Sequence, residues 1–313
     1  MNSIMSDRDS LSSQYLSRSF DHLSRSRSTN NLIVRAYKQA TQLYLTRRFR
    51  EAYDTLEPVV SPQGSAADGQ INDAPNAILS AELAPVAQSS KGTRTKVWVF
   101  YLSLLHSIIG LGPQEGKTTF GSTKWRELAA KVRDGTIWQE VVKRGYGGNE
   151  GEVDGEVVVN LATLLLGHMT TQKLNQEKLE GYLAANDDDT AASVFSDRDG
   201  TSTPMSIHST SPKNLQTRLK ILELYILHVL PANDEWDYAR QYIEMSEMLD
   251  EERKEAFMHA LESVKEEKNG AALREKALAE QREREAIEQK KQEEARRVDE
   301  ARRAEEEKKE GCS

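Results

Sequence analysis

The chain has little cysteine, few aromatic residues and no long apolar run, and each shortage excludes a class of protein. The single cysteine, Cys312, excludes an internal disulfide framework. Because the N-terminus also has no apolar signal segment, the sequence predicts a protein on the reducing, cytosolic side of any membrane. The longest apolar stretch, 97–111, has about fifteen residues, whereas a membrane-spanning helix needs roughly twenty. We therefore expect it to be a core helix.

The charge balance excludes another group of functions. The 313 residues carry a net charge of −8, so the summed field gives no reason to expect nucleic-acid or anionic-membrane binding. Aromatic residues make up 6% of the chain and charged residues 29%, so much of it is not core. One folded domain accompanied by disordered and solvated segments is the organisation that this composition favours.

The residue patterns of known catalytic and metal sites are missing. The six histidines show no zinc-binding spacing, and no Gly-x-Ser-x-Gly elbow is present. The acidic residues Glu150, Glu152, Asp154 and Glu156 lack the phrase of a calcium loop, which predicts a solvated acidic turn. We therefore predict no catalytic residue, no metal and no cofactor, and hence a protein that is not an enzyme.

One stretch, 110–118, superficially resembles the phosphate-binding loop of nucleotide hydrolases. That loop needs Gly, four residues, and then Gly-Lys-Ser/Thr. Counting back five positions from Gly116 reaches Leu111, with Gly110 one residue too early and Gly112 one too late. The segment before it has helical periodicity, not that of a strand. A nucleotide-binding enzyme using Lys117 and Thr118 is therefore only a distant alternative.

What the sequence does contain is a series of amphipathic helices between Lys96 and Ala185. Apolar residues recur there at steps of three and four, at Val97, Tyr101, Leu104, Leu105 and Ile108, at Trp125, Leu128, Ala129 and Val132, and at Ile137, Val141 and Val142. Each helix can bury only one face, so the helices must pack on one another. The pattern predicts an all-α fold whose packed helices offer grooves to a partner.

Two helical hairpins carry a phrase that is similar to tetratricopeptide units. Phe49-x2-Ala52-x3-Leu56 lies in the hairpin of residues 32–60, and Trp236-x2-Ala239-x3-Ile243 follows the apolar helix 215–230. In such units the small residue lets two helices approach closely. The fold predicted is therefore a tetratricopeptide-like, α-solenoid-like stack, although two units so far apart do not make a regular array.

Composition divides the chain into three parts. Residues 1–30 hold ten serines and four arginines and should be disordered. Residues 31–268 form the predicted helical domain, with flexible loops at 61–92 and 186–212. Residues 269–313 form a charged helix and a frayed end, because 25 of the 40 residues in 271–310 are charged and opposite charges stand one turn apart. A coiled coil is the less favoured alternative, since apolar residues there do not settle into a heptad period.

A set of longer phrases resembles the filamentous-fungal peroxin-26 family over about 31–268. These phrases are Lys96-Val97-Trp98, Glu115-Gly116-Lys117, Trp125-Arg126, 130–135, 138–142, 159–166, 174–176, 179–185, 220–225 and 235–240. The resemblance implies an adaptor without chemistry of its own, which recruits the pair of AAA-ATPases that extract the recycling import receptor during import of matrix proteins into peroxisomes. Partners implied are those ATPases, with no nucleic acid and no small-molecule substrate.

The resemblance also implies residence at the cytosolic face of the peroxisomal membrane. Members of the family are held there by a C-terminal membrane helix beyond a charged helix, and this sequence ends at Ser313 before any such helix. We expect membrane attachment only through an anchor that is not in this chain, and a cytosolic location if that anchor is truly absent. A soluble cytosolic helical scaffold unrelated to peroxisomes is the alternative.

For the partner-binding surface we expect the polar side of the helix that buries Trp125. Its basic residues are Lys124, Arg126, Lys131 and Arg133. They lie opposite the buried Trp125 stripe, on the side of the helix that is open to a partner. Such charges are usually only solvated.

Overall fold

The computed structural model describes residues 28–62, 83–195 and 212–310. All regular secondary structure in these three ranges is helical, which confirms the predicted all-α class. The chain divides into two compact units, Met1–Ala239 and Arg240–Ser313. Each unit is described separately below.

The helices follow one another with short connections. In chain order they are α1 (28–45), α2 (Phe49–Val60), a 3-10 turn (Pro85–Gln88), α3 (Lys91–Gly110), α4 (Gly112–Phe120), α5 (Ser122–Arg133), α6 (Thr136–Tyr146), α7 (Gly155–His168), α8 (Lys173–Phe195), α9 (Pro212–Leu224), α10 (Trp236–Met245) and α11 (Glu251–Glu310). Positive φ angles at Gly121 and Gly135 allow the sharp turns on either side of α5.

The first hairpin is α1 and α2, as the sequence predicted. Ala52 and Leu56 are fully buried. The small residue of the tetratricopeptide-like phrase, Ala52, therefore lies on the packed side of its helix. Tyr44 packs against both Phe49 and Phe100, with ring centroids 5.6 Å apart in each case, and so joins the hairpin to α3.

The core of the first unit is built on α3 and α7. The predicted stripe residues of α3, from Val97 to Ile108, are all buried, and so are Val157, Leu161 and Leu165 of α7. Burying a Leu or Val side chain contributes roughly 1.5–3 kcal/mol. The apolar residues that recur at steps of three and four in the sequence are therefore the ones buried in the structure.

Tryptophans in this core are positioned by glycines. A Cβ placed on Gly145 of α6 would lie 2.5 Å from Trp98 Nε1, and one placed on Gly116 of α4 would overlap the Trp125 ring. Only glycine leaves room for the indoles to lie against these helix backbones. The indole nitrogens of Trp98 and Trp125 are buried and have no hydrogen-bond partner among the described residues, so the rings are held by packing.

Two predicted boundaries differ from the structure. Of the predicted loop 61–92, residues 85–88 form a 3-10 turn with Val86 buried, and α3 begins at Lys91. Of the predicted loop 186–212, residues up to Phe195 continue α8. Helix extension costs little once a helix is nucleated, so polar residues at its end do not stop it. Residues 63–82 and 196–211 of these loops, and residues 1–27, lie outside the described residues.

Helix α9 ends in a π turn at Tyr225–Val229. The next residues, Leu230–Ala232, include Pro231, which has no N–H to donate to the preceding turn. The Leu230 N–H donates instead to the Tyr225 carbonyl, five residues earlier. The apolar segment 215–230 is therefore helical as predicted, but its last turn is wider.

The second unit contains the end of α10 and all of α11. Helix α11 has 60 residues, about 90 Å at ~1.5 Å per residue, and runs through Gly270 without a break. It therefore begins 18 residues before the predicted boundary at 269. Its side chains from Glu262 to Arg303 are almost all exposed. The Asp299–Arg302 ion pair, at 3.4 Å, is of the local kind that supports solvated helices.

Candidate functional site

The four basic residues predicted to bind a partner lie on and beside helix α5. Trp125, Leu128, Ala129 and Val132 of that helix are buried, as their spacing predicted. The exposed side of the same helix carries Thr123, Arg126, Glu127, Ala130, Arg133 and Asp134. This set is called the α5 face below. Lys124 and Lys131 lie at its edges and are half-buried.

Lys124 is held by α2. Its Nζ donates to Glu57 Oε1 at 3.0 Å and lies 5.2 Å from the centre of the Tyr53 ring. Burial alone would lower the pKa of Lys124, but the hydrogen bond to Glu57 and the charges around it raise the pKa above its ordinary value. The ammonium group is therefore charged and fastens α5 to α2.

Lys131 is held by α3 and α6. Its Nζ donates to Tyr101 Oη at 3.0 Å and to Glu140 Oε1 at 3.0 Å, and its side chain is only 13% exposed. Arg144 donates to the same Glu140 oxygen at 2.7 Å. Burial raises the pKa of Tyr101 well above its ordinary value, so its hydroxyl stays protonated. Lys131 thus closes an internal network and presents little charge to a partner.

Arg126 and Arg133 are the basic side chains that reach the surface of the α5 face. Arg126 is exposed and pairs with no acidic side chain among the described residues. Arg133 is exposed with its guanidinium 5.8 Å from the centre of the Trp125 ring. Because Glu127 and Asp134 lie on the same face, its charge is mixed. The predicted four-residue basic patch is therefore narrowed to two arginines.

A histidine pair lies close to Arg133. His168 at the end of α7 and His106 on α3 share a hydrogen bond, with Nε2 and Nδ1 3.0 Å apart. Burial lowers the pKa of His168, and the charges of His106 and Arg133 lower it further. Two imidazoles alone are too few for a typical metal site, and the described part of the chain contains no group of three potential metal ligands.

The phosphate-loop-like stretch lies in a helix. Residues 112–120 form α4, so Gly116, Lys117 and Thr118 are helical rather than a loop after a strand. Thr118 Oγ1 donates back to the Gln114 carbonyl at 3.0 Å. The role of Gly116 is to accommodate the Trp125 ring. The glycine that suggested a nucleotide site is thus explained by packing beneath the α5 face.

The prediction of a solvated acidic turn at residues 150–156 is wrong for Asp154. Its side chain is buried, and its Oδ2 accepts hydrogen bonds from Thr95 Oγ1 and Tyr146 Oη, both at 2.9 Å. Arg94 and Lys91 form ion pairs with it at 3.4 and 3.5 Å. The sequence signal was available, because an aspartate directly before an apolar helical run favours a helix N-cap. Here the Asp154 carbonyl accepts the first backbone bonds of α7.

A second buried polar network was not predicted at all. Tyr225 Oη donates to Glu180 Oε1 at 2.7 Å, and Asn233 Nδ2 donates to Gln176 Oε1 at 2.7 Å, joining α8 to the end of α9. Asn175 is fully buried beside this network and donates to the Ala162 carbonyl at 3.0 Å. No local spacing rule links these positions, since the pairs are 45 and 57 residues apart.

No single helix among the described residues combines the length and apolar character needed to cross a bilayer. Helices α3 and α4 pass such a test only as a pair, bent by 115°, on length and composition alone. Most of the apolar side chains of α3 are buried in the first unit.

Comparison with known proteins adds no evidence on the function of the chain. The chain matches no protein-family model, no curated protein and no solved structure. What can be said of function therefore follows from the residues and their arrangement.

Proposed function

We propose that this chain is a peroxisome-biogenesis adaptor, located at the cytosolic face of the peroxisomal membrane, that recruits the AAA-ATPase pair for recycling of the import receptor. The proposal rests on the resemblance of its sequence phrases and on one structural observation, the rigid presentation of Arg126 and Arg133. Arginine and tryptophan are enriched among residues that dominate binding energy at interfaces. Of these two residue types the α5 face offers arginine, since Trp125 is buried and Arg133 lies 5.8 Å from the centre of its ring.

Rigid support of the α5 face favours a binding role over a solvated surface. The helix is fixed from beneath by Trp125 against Gly116, and at its edges by Lys124–Glu57 and Lys131–Glu140. Side chains on a fixed helix lose less conformational entropy when a partner binds. Its mixed charge, with Glu127 and Asp134 each next to an arginine in the sequence, favours a partner that presents both signs.

The tetratricopeptide-like hairpin and the long helix complete the proposal. The α1–α2 hairpin and the helices after it act together as the docking scaffold, in a solenoid-like stack. Helix α11 acts as a spacer toward a membrane anchor. Its length of about 90 Å and its exposed, charged surface suit a rigid spacer better than a folded domain.

The test is a binding measurement with the full chain and the purified fungal ATPase pair, with and without ATP. We expect retention of the ATPases by the wild-type chain and a loss of about tenfold or more in affinity for R126E/R133E, because both arginines would then repel acidic partner groups. The matched control is K96E/K220E, which reverses two exposed lysines on α3 and α9. Equal loss in both variants would indicate a general charge effect and would contradict a site on α5.

A second measurement separates the peroxisomal role from that of an unrelated scaffold. In fungal cells lacking the endogenous gene, the proposed role predicts that import of a matrix marker fails and that R126E/R133E does not restore it. Normal import without the gene, with no ATPase retained in vitro, would favour the cytosolic scaffold.

A further inference from the structure

A groove in the second unit lies between α10 and the first turns of α11. It is lined by Ile243, Glu244, Glu251, Glu252, Lys254, Glu255 and Met258, and its volume is about 680 Å³. We call this set the acidic groove. It is separate from the α5 face and does not depend on the function proposed above.

The frame of the groove is a tied helical hairpin. Asp250 caps α11, since its Oδ1 accepts the Arg253 N–H at 2.9 Å. Arg240 and Glu262 form an ion pair at 3.6 Å and join the two helices away from the turn. Leu249 and Leu261 are buried. Of these contacts, the Arg240–Glu262 ion pair is the one that joins the two helices directly.

The floor and rim of the groove differ in chemistry. The two apolar lining residues differ in burial, since Met258 is half-buried and Ile243 is fully buried. Met245, at the end of α10, is 71% exposed. Methionine is flexible and polarizable and is common on surfaces that bind apolar faces of partner helices. The apolar floor that a ligand can reach is therefore Met258, whose side chain can adapt its shape.

The rim is acidic and only partly neutralised. Lys254 Nζ pairs with Glu251 Oε1 at 3.2 Å. Glu244, Glu252 and Glu255 form no ion pair with any residue in the described ranges. Over residues 240–262 the sequence has seven acidic and three basic side chains. A negative rim around an apolar floor favours a partner with the opposite pattern.

We propose that the acidic groove binds a basic amphipathic helix of a partner protein, with its apolar face on Met258 and its Lys or Arg side chains toward Glu244, Glu252 and Glu255. A groove between two helices suits a helical ligand, which anchors through residues spaced three and four apart. The volume lies within the range of about 300–1,000 Å³ that is usual for ligand pockets. It accommodates a few anchoring side chains and leaves the rest of the ligand helix at the surface.

The probe is a fluorescent peptide of about 18 residues, five helical turns, with Leu on one face and Lys on the other. Binding to the full chain is measured by fluorescence anisotropy near physiological salt. A scrambled peptide of the same composition and a Leu/Glu peptide of the same pattern are compared with it. We expect micromolar binding of the Leu/Lys helix and at least tenfold weaker binding of the other two.

Variants of the chain locate the site. E252Q/E255Q should weaken binding about tenfold, and M258Q about fivefold, since one removes rim charge and the other the apolar floor. E283Q/E294Q removes two exposed carboxylates farther along α11 and should leave the affinity unchanged. All these side chains lie at or near the surface, so circular dichroism should show the same helical content. No binding, equal binding of the scrambled peptide, or an equal effect of the two glutamate pairs would overturn the proposal.

Discussion

Helices α3 and α11 are both long and continuous, but they are held by different forces. Helix α3 has nine buried residues within twenty, whereas α11 has none between 263 and 303. The first is stabilised by burial and the second by local pairs such as Asp299–Arg302 and Gln281–Glu285. Identical secondary structure therefore does not imply identical stability. A fixed surface such as the α5 face needs a helix that is packed on a core, as α3 and α5 are.

The largest expected effect comes from matched leucine deletions in the two helices. Leu105→Ala in α3 should lower the free energy of unfolding by about 2–5 kcal/mol, because Leu105 is fully buried and its removal leaves a cavity. Leu273→Ala in α11 should change it by less than about 0.5 kcal/mol, because Leu273 is 70% exposed. Urea unfolding followed by far-ultraviolet circular dichroism, which reports the helices of both units, measures both. Similar losses would contradict the distinction between the helices.

Glycines beneath the tryptophans give the next effect. Gly116→Ala should destabilise the first unit by about 1–3 kcal/mol, because the new methyl group overlaps Trp125. Gly110→Ala is the control, since a Cβ there meets nothing within 4 Å. It should be neutral or slightly stabilising, by up to about 1 kcal/mol, because alanine favours the helix. Thermal unfolding of both variants is the measurement, and a stabilised Gly116→Ala would refute the packing argument.

The sequence predicted the buried faces well and the polar contacts poorly, for a physical reason. Burial of Trp125, Leu128 and Val132 follows from local spacing, which a sequence displays directly. The partners of Lys124 and Lys131, Glu57 and Tyr101, are 67 and 30 residues distant, so only the packed fold reveals that these lysines are engaged. The buried face of α5 was thus predicted correctly, but the positive charge on its other face was overestimated.

Helix ends and Asp154 show the same limit. The charged tail was predicted from composition, yet α11 begins at Glu251, within sequence that had been assigned to the folded domain. A helix continues across a change in composition when each added residue costs little. Asp154 was assigned to solvent because its neighbours are acidic, while its actual partners Arg94 and Thr95 lie about 60 residues earlier.

A smaller effect is expected on how the unfolding free energy of the first unit depends on pH. Burial, His106 and Arg133 lower the pKa of His168, so below its ordinary value of about 6.5 the unfolded chain binds more protons at this residue. Its contribution to stability is present above that pH and is lost as the pH falls through the lowered pKa. His168→Gln should therefore flatten the decline in unfolding free energy between about pH 7 and pH 5. Exposed His259→Gln is the control and should leave the decline unchanged.

The smallest expected effect is that of salt on α11. Each of its local charge pairs contributes only about 0.2–0.5 kcal/mol, and salt near 1 M shortens the screening length to about 3 Å. Amide hydrogen exchange at residues 262–303 should accelerate a few-fold in high salt, while exchange in α3 and α7 stays the same. Equal acceleration in both regions would mean that α11 is not held by local charges.

Hydrogen exchange of the full chain with and without the fungal ATPase pair tests the proposed role most directly. The proposal predicts added protection in α5, at residues 122–133, and none in the exposed part of α11 at 262–303, because only the buried helix presents a fixed surface. Protection confined to 262–303, or no protection anywhere at saturating ATPase, would contradict it.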